Sequence, residues 1–259
     1  MKQTSKKILY VLLSVSSLAL FVILWVILAN KEGSMLPTPG ETFSRFLDIM
    51  RNPISKATLP THVWVSLRRV LIAFVFAVVL GITLGVALGW SAKFNALIGP
   101  LFEMVRPIPP IAWIPMIIIW FGIGETAKIV IVFIGAFTPI VLNTSAGIRA
   151  IDPLLISAGK ILGANRGQLL VDVAFPATIP AILAGIRTAL SSGWMCVVAA
   201  EMIAAKQGVG FLIVRGQEIG DTALIVVCML AIGIVSALMS QILIKLEGVL
   251  CPWQFSKTK

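Results

Sequence analysis

Long apolar stretches alternate with short polar segments along the whole chain. Six runs contain almost no charge, at 8–29, 70–90, 97–123, 129–142, 181–205 and 223–244. A helix needs about 20 consecutive apolar residues to cross a hydrocarbon core about 30 Å thick. The pattern therefore predicts an all-α integral membrane protein with about six transmembrane helices. The run 97–123 is interrupted by prolines, and the run 129–142 is short for this thickness.

Composition agrees with this prediction and narrows the possible partners. Hydrophobic residues make up 58% of the chain and charged residues 12%, and the mean hydropathy is +1.01, which excludes a soluble globule of 259 residues. The net charge of +10 is spread over helix ends and gathers into no basic and aromatic patch. The sequence therefore predicts contact with anionic lipid headgroups and not with nucleic acid.

The first apolar run indicates how the chain enters the membrane. It is 22 residues long, longer than a signal-peptide core of roughly 7 to 15, so we interpret it as a retained helix. Lys2, Lys6 and Lys7 flank its start and favour a cytoplasmic N-terminus, and six crossings return the C-terminus to the same side. The predicted parts are an N-terminal transmembrane helix, an external loop with a short amphipathic helix, a membrane core with a cytoplasmic loop at 149–180, and a cytoplasmic tail. Their bounds are 1–30, 31–69, 70–250 and 251–259.

The cytoplasmic loop carries a helix start and a helix stop in close succession. Asp152 before Pro153 is an N-cap followed by a proline at the first helical position, where the missing N–H costs nothing. Gly163 suits the left-handed residue that ends a helix. Between these signals the apolar residues recur at helical spacing and form one face, at Leu154, Leu155, Ala158, Ile161 and Leu162. So short a helix is marginal in water, and this face needs a groove on its own bundle or on another subunit.

A second short helix is predicted directly after the first. Asn165 and Gln168 have the spacing of a capping box. This helix is expected to end before Pro176, because a proline disfavours helix in the residue that precedes it. The loop is therefore predicted to be a helix, a tight glycine turn and a helix.

The same loop resembles the loop motif of ABC importer permeases, which reads Glu-Ala-Ala, three residues, Gly, nine residues, Ile, one residue and Leu-Pro. The corresponding positions here are Ser157, Ala158, Gly159, Gly163, Val173, Phe175 and Pro176. Ser157 stands where the motif has Glu, so the match rests on spacing, small residues, Gly163 and Pro176. A second stretch, at 106–115 and 120–128, resembles the nitrate, sulfonate and taurine branch of these permeases.

This resemblance implies a type I ABC importer permease fold in a bacterial inner membrane. It implies three partners: a dimer of ATPase subunits that bind ATP and Mg²⁺, an external solute-binding protein, and a second copy of this chain. In the family the loop helix, here 153–163, docks on the ATPase. The resemblance assigns this coupling to Asp152, Pro153, Ser157, Ala158, Gly159, Gly163, Ala164 and Pro176. The expected solute is a small anion, taurine or another alkanesulfonate first and nitrate second.

Four prolines lie within nine residues of the third apolar run, at 107–115, and remove backbone donors at membrane depth. The carbonyls that they free cannot face lipid, so this segment is expected to be enclosed by protein or to border a wet cavity. The predicted translocation path comprises Arg106, Pro107, Pro109, Pro110, Trp113, Pro115 and Glu201. For two members a simpler interpretation is open: Arg106 as a buried salt bridge with Glu103, and Glu201 as a solvated charge at a helix end.

Two of the apolar runs carry small residues at every fourth position, which permits close helix contact in lipid. Their glycines are Gly81, Gly85 and Gly89 in the second run, and Gly185 and Gly193 in the fifth. At least one stripe is expected to pack within the chain, and the other is a candidate for a dimer interface.

No catalytic residue and no metal site are predicted in the chain itself. Gly159 and Lys160 are followed by Ile161 and lack the spacing of a P-loop, so ATP is expected on a separate subunit. His62 has no partner at metal-ligand spacing and is interpreted as a loop residue at the outer surface. The chain is therefore predicted to be a transport subunit without a cofactor, and not an enzyme. The alternative is an ATP-independent transporter or channel, for which the acids or histidines within spans and the inverted repeats are not evident.

Overall fold

The computed structural model describes residues 2–252, without the side chains of residues 2–9, 11 and 204. The predicted tail from position 253 onward, and the side chains of Lys2, Lys6 and Lys7, lie outside this description. The described part is helical apart from its connecting segments and an isolated bridge between Ile54 and Ala57. Its α-helices are α1 (Lys2–Ala29), α2 (Pro39–Arg51), α3 (Leu59–Trp90), α4 (Ala92–Val105), α5 (Ile114–Phe121), α6 (Glu125–Arg149), α7 (Pro153–Ile161), α8 (Arg166–Gln168), α9 (Phe175–Ala204), α10 (Val209–Glu218) and α11 (Thr222–Leu250).

The prediction of about six membrane helices is confirmed. Five stretches are long and apolar enough to cross a membrane: Leu12–Ala29, Leu59–Trp90, Glu125–Arg149, Arg166–Ile203 and Thr222–Leu250. A sixth candidate span is the bent pair Ala92–Val105 and Pro110–Phe121, whose halves meet at 85°. The bend falls where the prolines remove helix hydrogen bonds, as the sequence predicts.

Two helices are longer than their apolar runs indicate. The helix α3 begins at Leu59, so the last part of the loop predicted at 31–69, residues 59–69, is helical and continuous with a membrane span. The helix α6 extends to 25 residues, from Glu125 to Arg149, and not only over 129–142. Both extensions contain charged residues that lower the local hydropathy, and three of them, Arg69, Glu125 and Lys128, are paired with one another in the fold. The amphipathic helix expected in the same loop is α2.

The central helix of the bundle is α6, which packs against α3 on one side and α9 on the other. The glycines of α3 meet it in parallel register, since a Cβ added at Gly85 would lie 2.6 Å from Thr144 Cβ and one at Gly89 would lie 2.6 Å from Ile148 Cβ. In the antiparallel pair with α9, a Cβ at Gly185 would lie 2.8 Å from Asn143 Cβ. Only a glycine permits backbones to approach this closely.

Both small-residue stripes are therefore used within the chain. A Cβ added at any of their glycines would contact α6 within 4 Å, at Gly81, Gly85, Gly89, Gly185 and Gly193. The hypothesis that one of these stripes lines a dimer interface is wrong, because the same faces are already covered by α6.

The helix directions give the bundle two distinct ends. We call the end that carries α7 the loop end; α3, α6 and α11 finish there, and α9 begins there. The opposite end, which we call the far end, carries α2, α10 and the starts of α3, α6 and α11. Ion pairs from α3 to the start of α6 and to the end of α9 fix this arrangement at the far end.

Candidate functional site

The helix α7 starts and stops where its sequence predicts. The Asp152 carboxylate accepts a hydrogen bond from the Leu154 N–H at 2.8 Å, and Pro153 occupies the first helical position. At the other end Gly163 adopts φ +81°, and the Ala164 N–H donates to the Gly159 carbonyl at 3.0 Å. A left-handed glycine and this backward hydrogen bond satisfy the last carbonyls of a helix. The predicted caps of this helix are confirmed.

The apolar face of α7 points away from the bundle. Ile161 is 85% exposed and Leu162 is 87% exposed, and Leu154, Leu155 and Ala158 are exposed as well. The alternative that this face packs on its own bundle is wrong, since no residue of α7 is buried. A cluster of large apolar side chains at a helix surface is typical of a site that contacts another protein or lipid.

The opposite side of α7 rests on a π-helical turn, Leu169–Ala174, through its smallest residue. A Cβ added at Gly159 would lie 2.6 Å from Leu169 Cδ2 and 3.7 Å from Val173 Cγ2. The backbone of α7 thus lies directly against this turn, and a larger residue at Gly159 would push the two apart. Ser157, in the position of the motif glutamate, uses its hydroxyl locally and donates to the Pro153 carbonyl at 2.9 Å.

The second helix of the loop does not end before Pro176. The predicted capping box is present, with Asn165 Oδ1 accepting from the Gln168 N–H at 2.9 Å and Gln168 Oε1 accepting from the Asn165 N–H at 2.8 Å. From there α8, the π turn and α9 form one continuous helix to Ala204. The wider π turn interrupts the regular hydrogen-bond ladder just before Pro176, so the missing N–H and the ring of that proline are accommodated without a break.

The proline-rich corner lies on the surface of the isolated chain. Pro107, Pro109 and Pro115 are exposed, and Pro110 and Trp113 are half-buried. The corner is anchored through Trp113, which packs against the main core, and through Ile114 and Ile117, which belong to that core. The expectation that protein encloses this segment is not met within one chain.

Arg106 and Glu103 form the predicted pair at this corner. Their charged atoms are 3.0 Å apart, between Arg106 Nη1 and Glu103 Oε2. Both side chains are well exposed, so the pairing is confirmed but the burial is not. Neither residue takes part in the ion pairs that join α3 to α6 and α9 at the far end.

Glu201 is the centre of a buried polar cluster at the far end. It is only 1% exposed, and its carboxylate accepts from Arg69 Nη1 at 2.6 Å, from the Ser66 hydroxyl at 2.9 Å and from the Gly210 N–H at 2.9 Å. The interpretation of Glu201 as a solvated charge at a helix end is wrong. A buried carboxylate is stable only when it is paired and fully hydrogen-bonded, and here α3 and α10 supply the partners.

His62 belongs to the same region and not to a surface loop, so that interpretation is also wrong. It is fully buried in α3, accepts at Nδ1 from the Gly208 N–H at 3.1 Å and donates from Nε2 to the Ile54 carbonyl at 3.2 Å. This pattern fixes a neutral ring with its proton on Nε2. Arg69 also donates to the Gln207 carbonyl at 2.8 Å. The connector between α9 and α10 is therefore hydrogen-bonded to α3 through both His62 and Arg69.

A cationic cavity of about 740 Å³ opens beside this cluster. Its basic lining residues come from four separate parts of the chain and are Lys56, Arg69, Lys128, Lys206 and Arg215. One carboxylate, Glu125, lies among them and is held by Arg69 and Lys128. The cavity lies at the far end, on the opposite side of the bundle from α7.

The sequence pointed to Glu201 but did not predict the ion pairs around Arg69. Arg69, Glu125 and Lys128 stand at the edges of apolar runs, where a charge is usually interpreted as a helix end. The available signal was that the start of α6 carries Glu125 and Lys128 three positions apart, the spacing of an intrahelical ion pair. Among the residues that the structure describes, no three His, Cys, Asp or Glu side chains are grouped as metal ligands.

Comparison with known proteins gives one family. A family model described as "Binding-protein-dependent transport system inner membrane component" matches residues 77–252. The taurine transport system permease protein TauC of Escherichia coli (strain K12) is 36% identical over 247 residues, which cover 94% of this chain and 90% of that protein. The nitrate import permease protein NrtB of Synechocystis sp. is 30% identical over 241 residues, which cover 91% of this chain and 88% of that protein.

A solved structure shares the architecture. A chain in an inward-facing structure of the MetNI methionine ABC transporter superposes with a TM-score of 0.66 and 22% sequence identity, covering 74% of this chain and 95% of that chain. At this identity the likeness shows the fold alone.

Proposed function

Because the chain belongs to the family of binding-protein-dependent transport system inner membrane components, in the nitrate, sulfonate and taurine branch of ABC importer permeases, we propose a specific role for it. It passes a small anionic solute from an external binding protein to the cytoplasm, and a separate ATPase subunit drives the transfer. The chain is a multi-pass inner-membrane protein with the type I ABC importer permease fold. ATP and Mg²⁺ are bound by the ATPase and not by this chain.

The observation that carries this proposal is the exposed, doubly capped helix α7. Its caps hold it as a helix, while Ile161 and Leu162 present a large apolar surface. Such a helix fits a groove on a partner, which supplies the burial that an isolated helix of nine residues lacks. We assign the ATPase contact to this face, and with it the loop end to the cytoplasm.

A continuous path of packed elements connects this helix to the far end. The backbone of α7 rests on the π turn at Gly159, the π turn continues into α9, and the last turn of α9 carries Glu201 of the buried cluster. A displacement of α7 is therefore passed to α9, because the backbone of α7 packs directly on the turn from which α9 continues. Through this linkage, ATP hydrolysis by the ATPase at the loop end can change the structure of the far end.

The exposed proline corner supports a second copy of the chain as a partner. The sequence predicts that its freed carbonyls lie at membrane depth, where lipid offers no hydrogen-bond donor. A neighbouring subunit, or a water-filled space between two subunits, satisfies them. In this arrangement the corner at 106–115 borders the translocation path, and its assignment to that path stays a prediction.

The charge of the far-end cavity supports an anionic solute. Its basic side chains outnumber the single carboxylate among them, so it attracts anions and repels cations. The two curated relatives compared above carry taurine and nitrate in their names. A sulfonate is our first assignment and nitrate the second.

The test is uptake by the reconstituted complex. The chain is purified with its associated ATPase, incorporated into sealed vesicles with the binding protein, and supplied with labelled taurine. We expect uptake that requires ATP and the binding protein. Uptake by this chain alone, without ATP, would contradict the proposal and support an ATP-independent transporter.

A pair of variants tests the role of α7 within this assay. Ala158→Lys places a charged side chain on the apolar face, and uptake and stimulated ATP hydrolysis are expected to fall while membrane insertion persists. Ala150→Lys introduces the same side chain at another exposed alanine, just after α6, where a cation suits the helix C-terminus. Unchanged, coupled transport by the Ala158→Lys variant would refute the docking assignment.

A further inference from the structure

Two carboxylates share Arg69, and their surroundings differ sharply. The Glu201 side chain is 0% exposed and is fixed on three sides by Arg69, Ser66 and Gly210. The Glu125 side chain is 47% exposed and faces the cationic cavity. One carboxylate is therefore a fixed part of the fold, and the other can exchange its contacts with water and ions.

The two cations that hold Glu125 are buried and form a cradle for an oxyanion. Arg69 donates from Nε to Glu125 Oε2 at 2.8 Å and from Nη2 to Oε1 at 2.6 Å, and Lys128 donates to Oε1 at 2.9 Å. Their side chains are 3% and 6% exposed. A guanidinium fork with an ammonium beside it suits any planar or tetrahedral oxyanion, and a carboxylate is one example.

The remaining charges around the cavity keep it positive. Lys56 and Lys206 line the rim, and Arg215 lies there with its partner Glu218, 2.7 Å away. Arg68 adds a further cation 3.8 Å from Glu125. An anion that enters the cavity meets no carboxylate in its lining other than Glu125.

The backbone before Glu125 is loosely packed. Gly122 has φ +71°, and a Cβ added at Gly122 or Gly124 would have no neighbour within 4 Å. Ile123 between them is exposed. The ion pairs with Arg69 and Lys128 hold the Glu125 side chain at the end of this connector.

We propose that Arg69 and Lys128 form a binding site for the oxyanion group of the transported solute, and that Glu125 occupies this site until the solute displaces it. The inference rests on the proposed function, because it identifies the class of ligand that the far-end cavity receives. The buried cations are paired in both states, either with Glu125 or with the solute. The exchange therefore avoids the large cost of leaving buried charges unpaired.

The test is binding of ethanesulfonate to the full-length chain in lipid nanodiscs, measured by calorimetry without ATPase or binding protein. The buffer is Tris chloride, because several common buffers are themselves sulfonates. Glu125→Gln weakens the internal competitor, and we expect it to bind ethanesulfonate about tenfold more tightly than the parent chain. Lys128→Gln removes one charge-assisted hydrogen bond, and we expect about tenfold weaker binding, with Lys128→Arg restoring most of it.

Asp48→Asn is the matched control, because Asp48 is also a partly exposed carboxylate paired with an arginine at the far end, but lies outside the cavity. Its affinity is expected to stay within about twofold of the parent. Binding by Glu125→Gln that is no tighter than the parent, or full affinity in a folded Lys128→Gln variant, would overturn the inference. Since the assay contains no ATPase, its result is independent of ATP-driven uptake, and either proposal can fail while the other stands.

Discussion

The helix α7 and the far-end cluster are both polar interruptions of an apolar chain, but they are held in opposite ways. α7 is maintained by hydrogen bonds among residues 152–164 and buries none of its side chains. The cluster joins Arg69 to Glu201 and Gln207 across more than 130 positions of sequence, and the Arg69 and Glu201 side chains are buried. The chain therefore keeps its exposed contact surface, on α7, apart from the ion pairs that hold α3, α6 and α9 together. Substitutions in the cluster should change stability first, and substitutions on the exposed apolar face of α7 should change coupling with little effect on stability.

The largest expected effect comes from removing the shared cation. Arg69→Met leaves the buried Glu201 carboxylate without its charged partner, and we expect a loss of about 3–5 kcal/mol in the free energy of unfolding. The measurement is unfolding of the purified chain in mixed micelles by titration with SDS. Arg68→Met is the control, because Arg68 is exposed and 3.8 Å from Glu125, and it should cost less than about 1 kcal/mol. Equal losses for the two variants would contradict the contrast between the cluster and the surface.

Gly208→Ala tests the cluster through its backbone. Gly208 has φ +132°, and an added Cβ would lie 2.4 Å from the Glu201 carboxyl carbon, so the variant combines strain with a clash and is expected to cost about 2–4 kcal/mol. Gly220→Ala separates the two terms, because Gly220 has φ +70° with nothing within 4 Å. That variant carries strain alone, about 1–2 kcal/mol. Similar losses in the same SDS titration would show that the connector is not packed against Glu201.

A smaller effect is expected at the cap of α7. Asp152→Ala removes the acceptor of the Leu154 N–H, and the free energy of local opening of α7 should fall by about 1 kcal/mol. Asp152→Asn keeps an acceptor and should be nearly neutral. Hydrogen exchange of the α7 amides measures the difference. Faster exchange that extends into α9 would show that α7 is not a separate unit and would weaken the comparison.

The same comparison explains which features were readable in the sequence. The caps at Asp152, Gly163 and Asn165 were predicted correctly because each depends on atoms within a few residues. Pro176 misled the prediction, since the π turn that accommodates it depends on packing against Gly159 of α7. The burial of His62 and Glu201 was missed because it depends on partners that are far away in sequence, which local hydropathy does not report.

The membrane spans and the loop motifs were likewise easier to predict from the sequence than the far-end cavity. The apolar runs and prolines gave the number of crossings and the bend, because both follow from backbone hydrogen bonding in lipid. The anion cradle was not predicted, because its two cations come from different helices. A charge at the edge of a span looks solvated until the fold places a second charge beside it.

The smallest effect on stability, and the sharpest test of the separation, is expected for Ile161→Gln on α7. Ile161 is 85% exposed, so the change should alter the free energy of unfolding by less than about 0.5 kcal/mol. It nevertheless removes apolar area from the proposed ATPase contact, and ATP-driven taurine uptake should fall severalfold. Ile219→Gln makes the same replacement at an exposed isoleucine of the far end and should leave uptake unchanged. If the two variants transport equally well, the apolar face of α7 does not carry the coupling, and the exposed leucine and isoleucine side chains there need another partner.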